Sequence, residues 1–95
     1  MHRVVITGAG TVNALGHDVP DTLDAMRAGR CAIGALSFQD VERLSIQIGG
    51  QVRGFEAEGR YNRQQISLYD RFTQFTLAAA KEAIEQSGLS FAGEL

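Results

Sequence analysis

The fold turns on one stretch, VVITGAGTVNALG at residues 4–16. An apolar run, Val4-Val5-Ile6, leads into a turn that carries Gly8, Gly10 and Gly16. A strand running into glycines also opens dinucleotide-binding folds, so the turn must first be tested as a phosphate cradle. That fingerprint needs glycine at the first, third and sixth positions after the strand. Gly8 and Gly10 satisfy the first two, but the sixth position is Asn13. No acidic residue stands in a second strand about twenty residues on, because residues 23–29 still read as helix. The phosphate-loop pattern fails as well, since Gly10 to Gly16 has the wrong spacing and His17 stands where lysine is required. The glycines have another use. They let a tightly turned main chain pass under neighbouring elements without side-chain collisions, with Val12 and Leu15 as apolar plugs.

Working outward, residues 3–7 read as a strand apolar on both faces, the pattern of a strand covered by helices on each side. A helix is expected after Gly16. Asp18 can cap it, Pro20 suits its first turn, and Asp21 places negative charge at the positive end of the dipole. Val19, Leu23 and Met26 form one apolar stripe, and Gly29 supplies the left-handed stop. Cys31-Ala32-Ile33-Gly34 is small and apolar and is expected as a loop packed on the body. Ile46, Ile48, Gly50 and Val52 alternate with polar residues or glycine, which predicts a half-exposed strand in which Gly49-Gly50 allows a bulge or a close backbone approach. Residues 54–62 form a polar connection.

A long helix is expected over residues 67–87, with Ser67 to Asp70 as a capping box and Gly88 as terminator. Tyr69, Phe72, Thr76, Ala79 and Ala83 would share one face. Residues 77–80, small and apolar all round, should be buried, while Lys81, Glu82, Glu85 and Gln86 return the helix to solvent. The order strand, helix, strand, helix is that of an α/β chain.

Composition narrows the function classes. Apolar residues make up 44% and charged residues 21% of 95 residues, ordinary for a globular protein, and the length suffices for one small domain. A net charge of −2 without a long basic run leaves no electrostatic footprint for nucleic acid. No apolar run approaches a membrane span, and the opening residues hold no secretory signal core, so the cytoplasm is the expected compartment. The single cysteine, Cys31, cannot form an intrachain disulfide, and neither histidine, His2 or His17, sits in a metal-ligating cluster; both read as surface residues.

Four blocks in order carry a family resemblance. The opening Arg3-Val4-Val5-Ile6-Thr7-Gly8-Ala9-Gly10-Thr11-Val12, then Leu15-Gly16, resembles the start of elongating β-ketoacyl-acyl carrier protein synthases. Ala28-Gly29-Arg30-Cys31-Ala32-Ile33-Gly34 is similar to the family's loop after its first helix. Ile48-Gly49-Gly50-Gln51-Val52 with Phe55 resembles the following segment. Tyr69-Asp70-Arg71-Phe72-Thr73-Gln74-Phe75, then Ala78-Ala79-Ala80, Ala83 and Ser87-Gly88-Leu89, is similar to its long N-terminal helix.

The resemblance implies a thiolase-like fold layered α-β-α-β-α, of which residues 1–95 would supply only the first part of the N-terminal half. It implies decarboxylative Claisen condensation of an acyl thioester with malonyl-acyl carrier protein, by homodimers that need no organic cofactor or metal. One cysteine and two histidines do this chemistry in the family, and they lie beyond the matching blocks. The chain is therefore expected to hold no catalytic, cofactor-binding or metal-binding residue and to be inactive and poorly stable by itself. Cys31 matches no nucleophile position, and Asp70 is expected to cap a helix or pair with a neighbouring cation. Family members often present a basic cluster to the acidic carrier protein just before the long helix. Here Arg60 and Arg63 are the candidate docking residues, while Gln64, Ser67 and Leu68 stand where further cations are common. Two other readings stay open: a catalytically silent ketosynthase-like subunit that pairs with an active one and shapes chain length, and a stand-alone nucleotide-binding or scaffold domain.

Overall fold

The computed structural model describes residues 2–90. Its elements are α1 (Val19–Arg27), β1 (Ile33–Ala35), a 3₁₀ turn (Val41–Arg43), β2 (Ile48–Gly50), α2 (Arg63–Leu68) and α3 (Arg71–Ser87). Helices and a two-stranded sheet make this an α/β chain.

Helix α1 forms as its sequence dictates. The Asp18 side chain accepts from the Asp21 amide, Pro20 lies in the first turn, and Gly29 follows the Ala28 cap at φ 69°. Its apolar stripe is another matter. Leu23 remains 42% and Met26 61% exposed, and Ala25 is the residue that α1 buries.

The Cys31 region corrects the expectation of a packed loop. Ile33–Ala35 pairs antiparallel with Ile48–Gly50, placing Ile33 opposite Gly50 and Ala35 opposite Ile48. Cys31 is exposed, as is every residue of β1. The period-two pattern over residues 46–52 thus yields a strand of three residues. The ladder is continuous through Gly49-Gly50, so there is no bulge, and the approach at Gly49 is by a side chain rather than by backbone. A Cβ at Gly49 would stand 3.3 Å from Leu36 Cδ2.

The single long helix is also corrected. The chain leaves helical geometry at Tyr69 (ψ 130°) and Asp70 (ψ 163°), separating α2 from α3. The capping box is built by Asn62 and Gln65, whose side chains each accept from the other's backbone amide at 2.8 and 3.0 Å. Asp70 occupies the N-cap position of α3 without a side-chain hydrogen bond, and Ser67 lies in the last turn of α2. Side chains hold the break. The Gln74 side-chain Nε2 donates to the Tyr69 carbonyl at 3.1 Å, the Tyr61 hydroxyl donates to the Gln74 backbone carbonyl at 2.6 Å, and the two tyrosine rings meet edge to face at 5.9 Å. Gly88 ends α3 at φ 72°, the left-handed stop the sequence predicts.

Residues 3–7 pair with no strand among the described residues. Val4 and Ile6 are each 91% exposed and Val5 72%. A strand apolar on both faces needs a ladder partner and two covering layers, and β1 and β2 pair with each other instead. The core is correspondingly small, with Ala25, Phe55, Ala57, Gln74 and Ala78 buried. The radius of gyration is 16.6 Å, against about 12 Å for a compact domain of this length. The accessible surface is 7735 Å², where a folded monomer of this mass exposes roughly 5,400 Å². Much apolar surface therefore stays uncovered.

Candidate functional site

The glycine turn lies across α3. A Cβ on Gly10 would stand 1.8 Å from the Ala79 carbonyl oxygen, and one on Gly8 2.1 Å from that of Ala83. Both collisions are with helix backbone, which cannot swing aside as a side chain can. Glycine is required here for contact.

Asn13, the residue that breaks the dinucleotide fingerprint, organises the turn from within. Its Oδ1 accepts from the Leu15 and Gly16 amides at 2.8 and 3.2 Å, and its Nδ2 donates to the hydroxyls of Thr11 and Thr22 at 3.0 Å each. Its own amide donates to the Gly16 carbonyl at 2.9 Å. Such a self-bonded asparagine stabilises a turn locally and takes up the Leu15 and Gly16 amides.

The outward-facing donors of the turn end on α3. The Ala9 amide donates to Gln86 Oε1 at 2.8 Å and the Thr11 amide to Glu82 Oε1 at 3.0 Å. The other carboxylate oxygen of Glu82 accepts from the Val19 amide, the first of α1, at 2.8 Å. These two side chains were expected in solvent. Glu82 is half-buried, whereas Gln86 is exposed as expected, with its Oε1 held by the turn.

The predicted docking residues lie apart: Arg60 borders a cavity with Asp18, Lys81, Glu82 and Glu85, close to the glycine-turn contacts, and Arg63 does not. Arg60 and Arg63 are both exposed. The Arg60 guanidinium lies 5.0 Å from the centroid of the Phe55 ring, and Arg71 approaches the same ring at 5.4 Å and Phe75 at 4.9 Å. Phe55 is buried and meets Phe75 edge to face at 4.9 Å and His17 at 5.8 Å. His17 is thus no plain surface histidine: Nε2 lies 2.8 Å from the Arg53 carbonyl oxygen. Arg63 begins α2 and lines a separate groove with Glu58, Tyr61 and Ile66. The structure therefore groups Arg60 with Arg71 around one aromatic cluster.

Residues 1–92 match the family model described as the beta-ketoacyl synthase N-terminal domain. The chain belongs to the beta-ketoacyl synthase family. It is 40% identical over 88 residues to Nodulation protein E of Rhizobium sp. (strain N33), covering 93% of this chain and 22% of that protein. It is 33% identical over 87 residues to 3-oxoacyl-[acyl-carrier-protein] synthase 2 of Staphylococcus aureus (strain COL), covering 92% of this chain and 21% of that protein. The chain spans about a fifth of the length of these relatives.

Within this synthase-family segment, reading the sequence missed Glu82, Gln86 and Arg71. A signal for the first was present. Gln74, Ala78 and Glu82 recur at i, i+4 and i+8, and Gln74 and Ala78 are the buried residues of α3. Of the expected face, Ala79 and Ala83 are half-buried under the glycine turn, while Phe72 stands 70% exposed. Of the residues 77–80 expected to be buried, Ala78 is buried and Leu77 is 40% exposed. Among the described residues no helix is long and apolar enough to cross a membrane.

Proposed function

We propose that this chain is the N-terminal portion of a 3-oxoacyl-acyl carrier protein synthase with a layered thiolase-like fold, acting as a homodimer in the cytoplasm. The full protein would condense an acyl thioester with malonyl-acyl carrier protein. The match of residues 1–92 to the family's N-terminal domain carries this reading. The packing of Gly8 and Gly10 on α3 agrees with it, since the turn makes internal main-chain contact. The exposed Val4-Val5-Ile6 run, apolar on both sides, suits a central strand awaiting sheet neighbours and covering helices.

Condensation calls for an activated thiolate and donors to a developing oxyanion. Cys31 is exposed in the chain leading into β1. The nucleophile and its two histidines are accordingly assigned to sequence outside residues 1–95, and these residues by themselves are assigned no turnover. Determining the coding sequence beyond Leu95 and assaying its product for release of carbon dioxide from malonyl-acyl carrier protein tests the proposal. A downstream cysteine with two histidines and acyl-dependent condensation would support it. A family-length product lacking the cysteine would favour the silent chain-length subunit, and a product without synthase sequence would overturn both.

Arg60, Arg63 and Arg71 are the groups we assign to carrier-protein docking. Two guanidiniums beside Phe55 are held by an aromatic surface, so they present charge with little ordering cost. Replacing Arg60 and Arg71 together by glutamate should weaken carrier-protein binding by the full-length protein by at least about tenfold at low salt, and less at high salt. Unchanged affinity would remove these residues from the docking surface.

A further inference from the structure

The donors of the glycine turn have a resident acceptor. Three amides from two separate stretches, Ala9, Thr11 and Val19, converge on side chains one turn apart on α3. Only Val19 belongs to a helix N-terminus. Pro20 has no amide hydrogen, Asp18 Oδ1 receives the Asp21 amide, and the Asp18 carbonyl receives that of Thr22. The Val19 amide is therefore the one α1 donor that needs a partner from elsewhere, and Glu82 supplies it.

The identities of the two acceptors follow from donor number. Gln86 receives one amide, which one carboxamide oxygen can satisfy. Glu82 receives two amides, one on each oxygen, and a carboxamide in the same place would turn an NH2 donor toward one of them. Its charge also sits at the positive end of α1. We propose that Glu82 is a positioning residue whose carboxylate is the resident anion of the glycine turn, fixing the turn and the start of α1 to α3 and closing both to phosphate. This assignment stands on the chain's own hydrogen bonds and holds whatever chemistry the full protein performs.

Residue-resolved amide exchange on the full chain tests it. E82Q keeps one oxygen and sets an NH2 donor against the other amide, so exchange should accelerate at least about tenfold at either Thr11 or Val19 while the other amide stays protected. E82A should release both, and Q86A should release Ala9 alone. Adding formate to E82A should slow Thr11 and Val19 again, because a small carboxylate can reoccupy the vacated position. Inorganic phosphate should leave the Ala9, Thr11 and Val19 amide resonances of the wild-type chain unmoved. If E82A does not fold, the selective response of E82Q decides the matter. Unchanged protection at both amides in E82Q, equal loss at both, or wild-type resonances that move with phosphate would each overturn the assignment.

Discussion

Two neighbouring stretches of the opening sequence have opposite fates. Residues 8–16 are held at several points, by the α3 backbone, by Asn13 and by Glu82 and Gln86. Residues 4–6, immediately before them, are almost wholly exposed. The difference lies in the kind of partner each needs. A turn can be satisfied by one helix and its own side chains. A strand with two apolar faces needs a ladder neighbour and two covering layers. The described residues contain the first kind of partner and not the second. A short chain can thus fix the exact geometry of a turn while leaving an adjacent strand bare.

Substitutions can break this contrast. Gly10→Ala should have the largest effect, about 3 kcal/mol or more of lost stability in equilibrium urea unfolding, because its Cβ would meet the Ala79 carbonyl at 1.8 Å. A loss below about 1 kcal/mol would mean that the turn does not lie on α3. Asn62→Ala should cost about 1 kcal/mol through loss of the α2 capping box, whereas Ser67→Ala should change stability by less than about 0.5 kcal/mol. The reverse order would restore the single long helix. Val5→Asp should have the smallest effect, within about 0.5 kcal/mol in this chain, since the side chain is already in solvent. The same change in the full-length protein should be severe if the proposed layers cover the strand.

Elements set by local chemistry were legible in the sequence. Helix α1 follows from Asp18, Pro20, Asp21 and Gly29, and the end of α3 from Gly88. Asn13, which breaks the dinucleotide spacing, proves to be the centre of the turn. Features set by distant partners were not legible. The helix break depends on Tyr61 reaching the Gln74 carbonyl, 13 positions away. The role of Glu82 depends on amides 63 and 71 positions distant, so its charge alone suggested solvent. For the docking surface, Arg60 and Arg63 were visible as neighbours in sequence. The pairing of Arg60 with Arg71 across Phe55 required the fold.

Glycine serves main-chain contact between the opening turn and α3. Nuclear Overhauser contacts of the Gly10 α protons test it most directly, read before and after adding NADPH. Strong cross-peaks to Ala79, unmoved by the nucleotide, are the predicted result. Absence of those cross-peaks, together with Gly8 and Gly10 amides that shift on NADPH addition, would contradict the account.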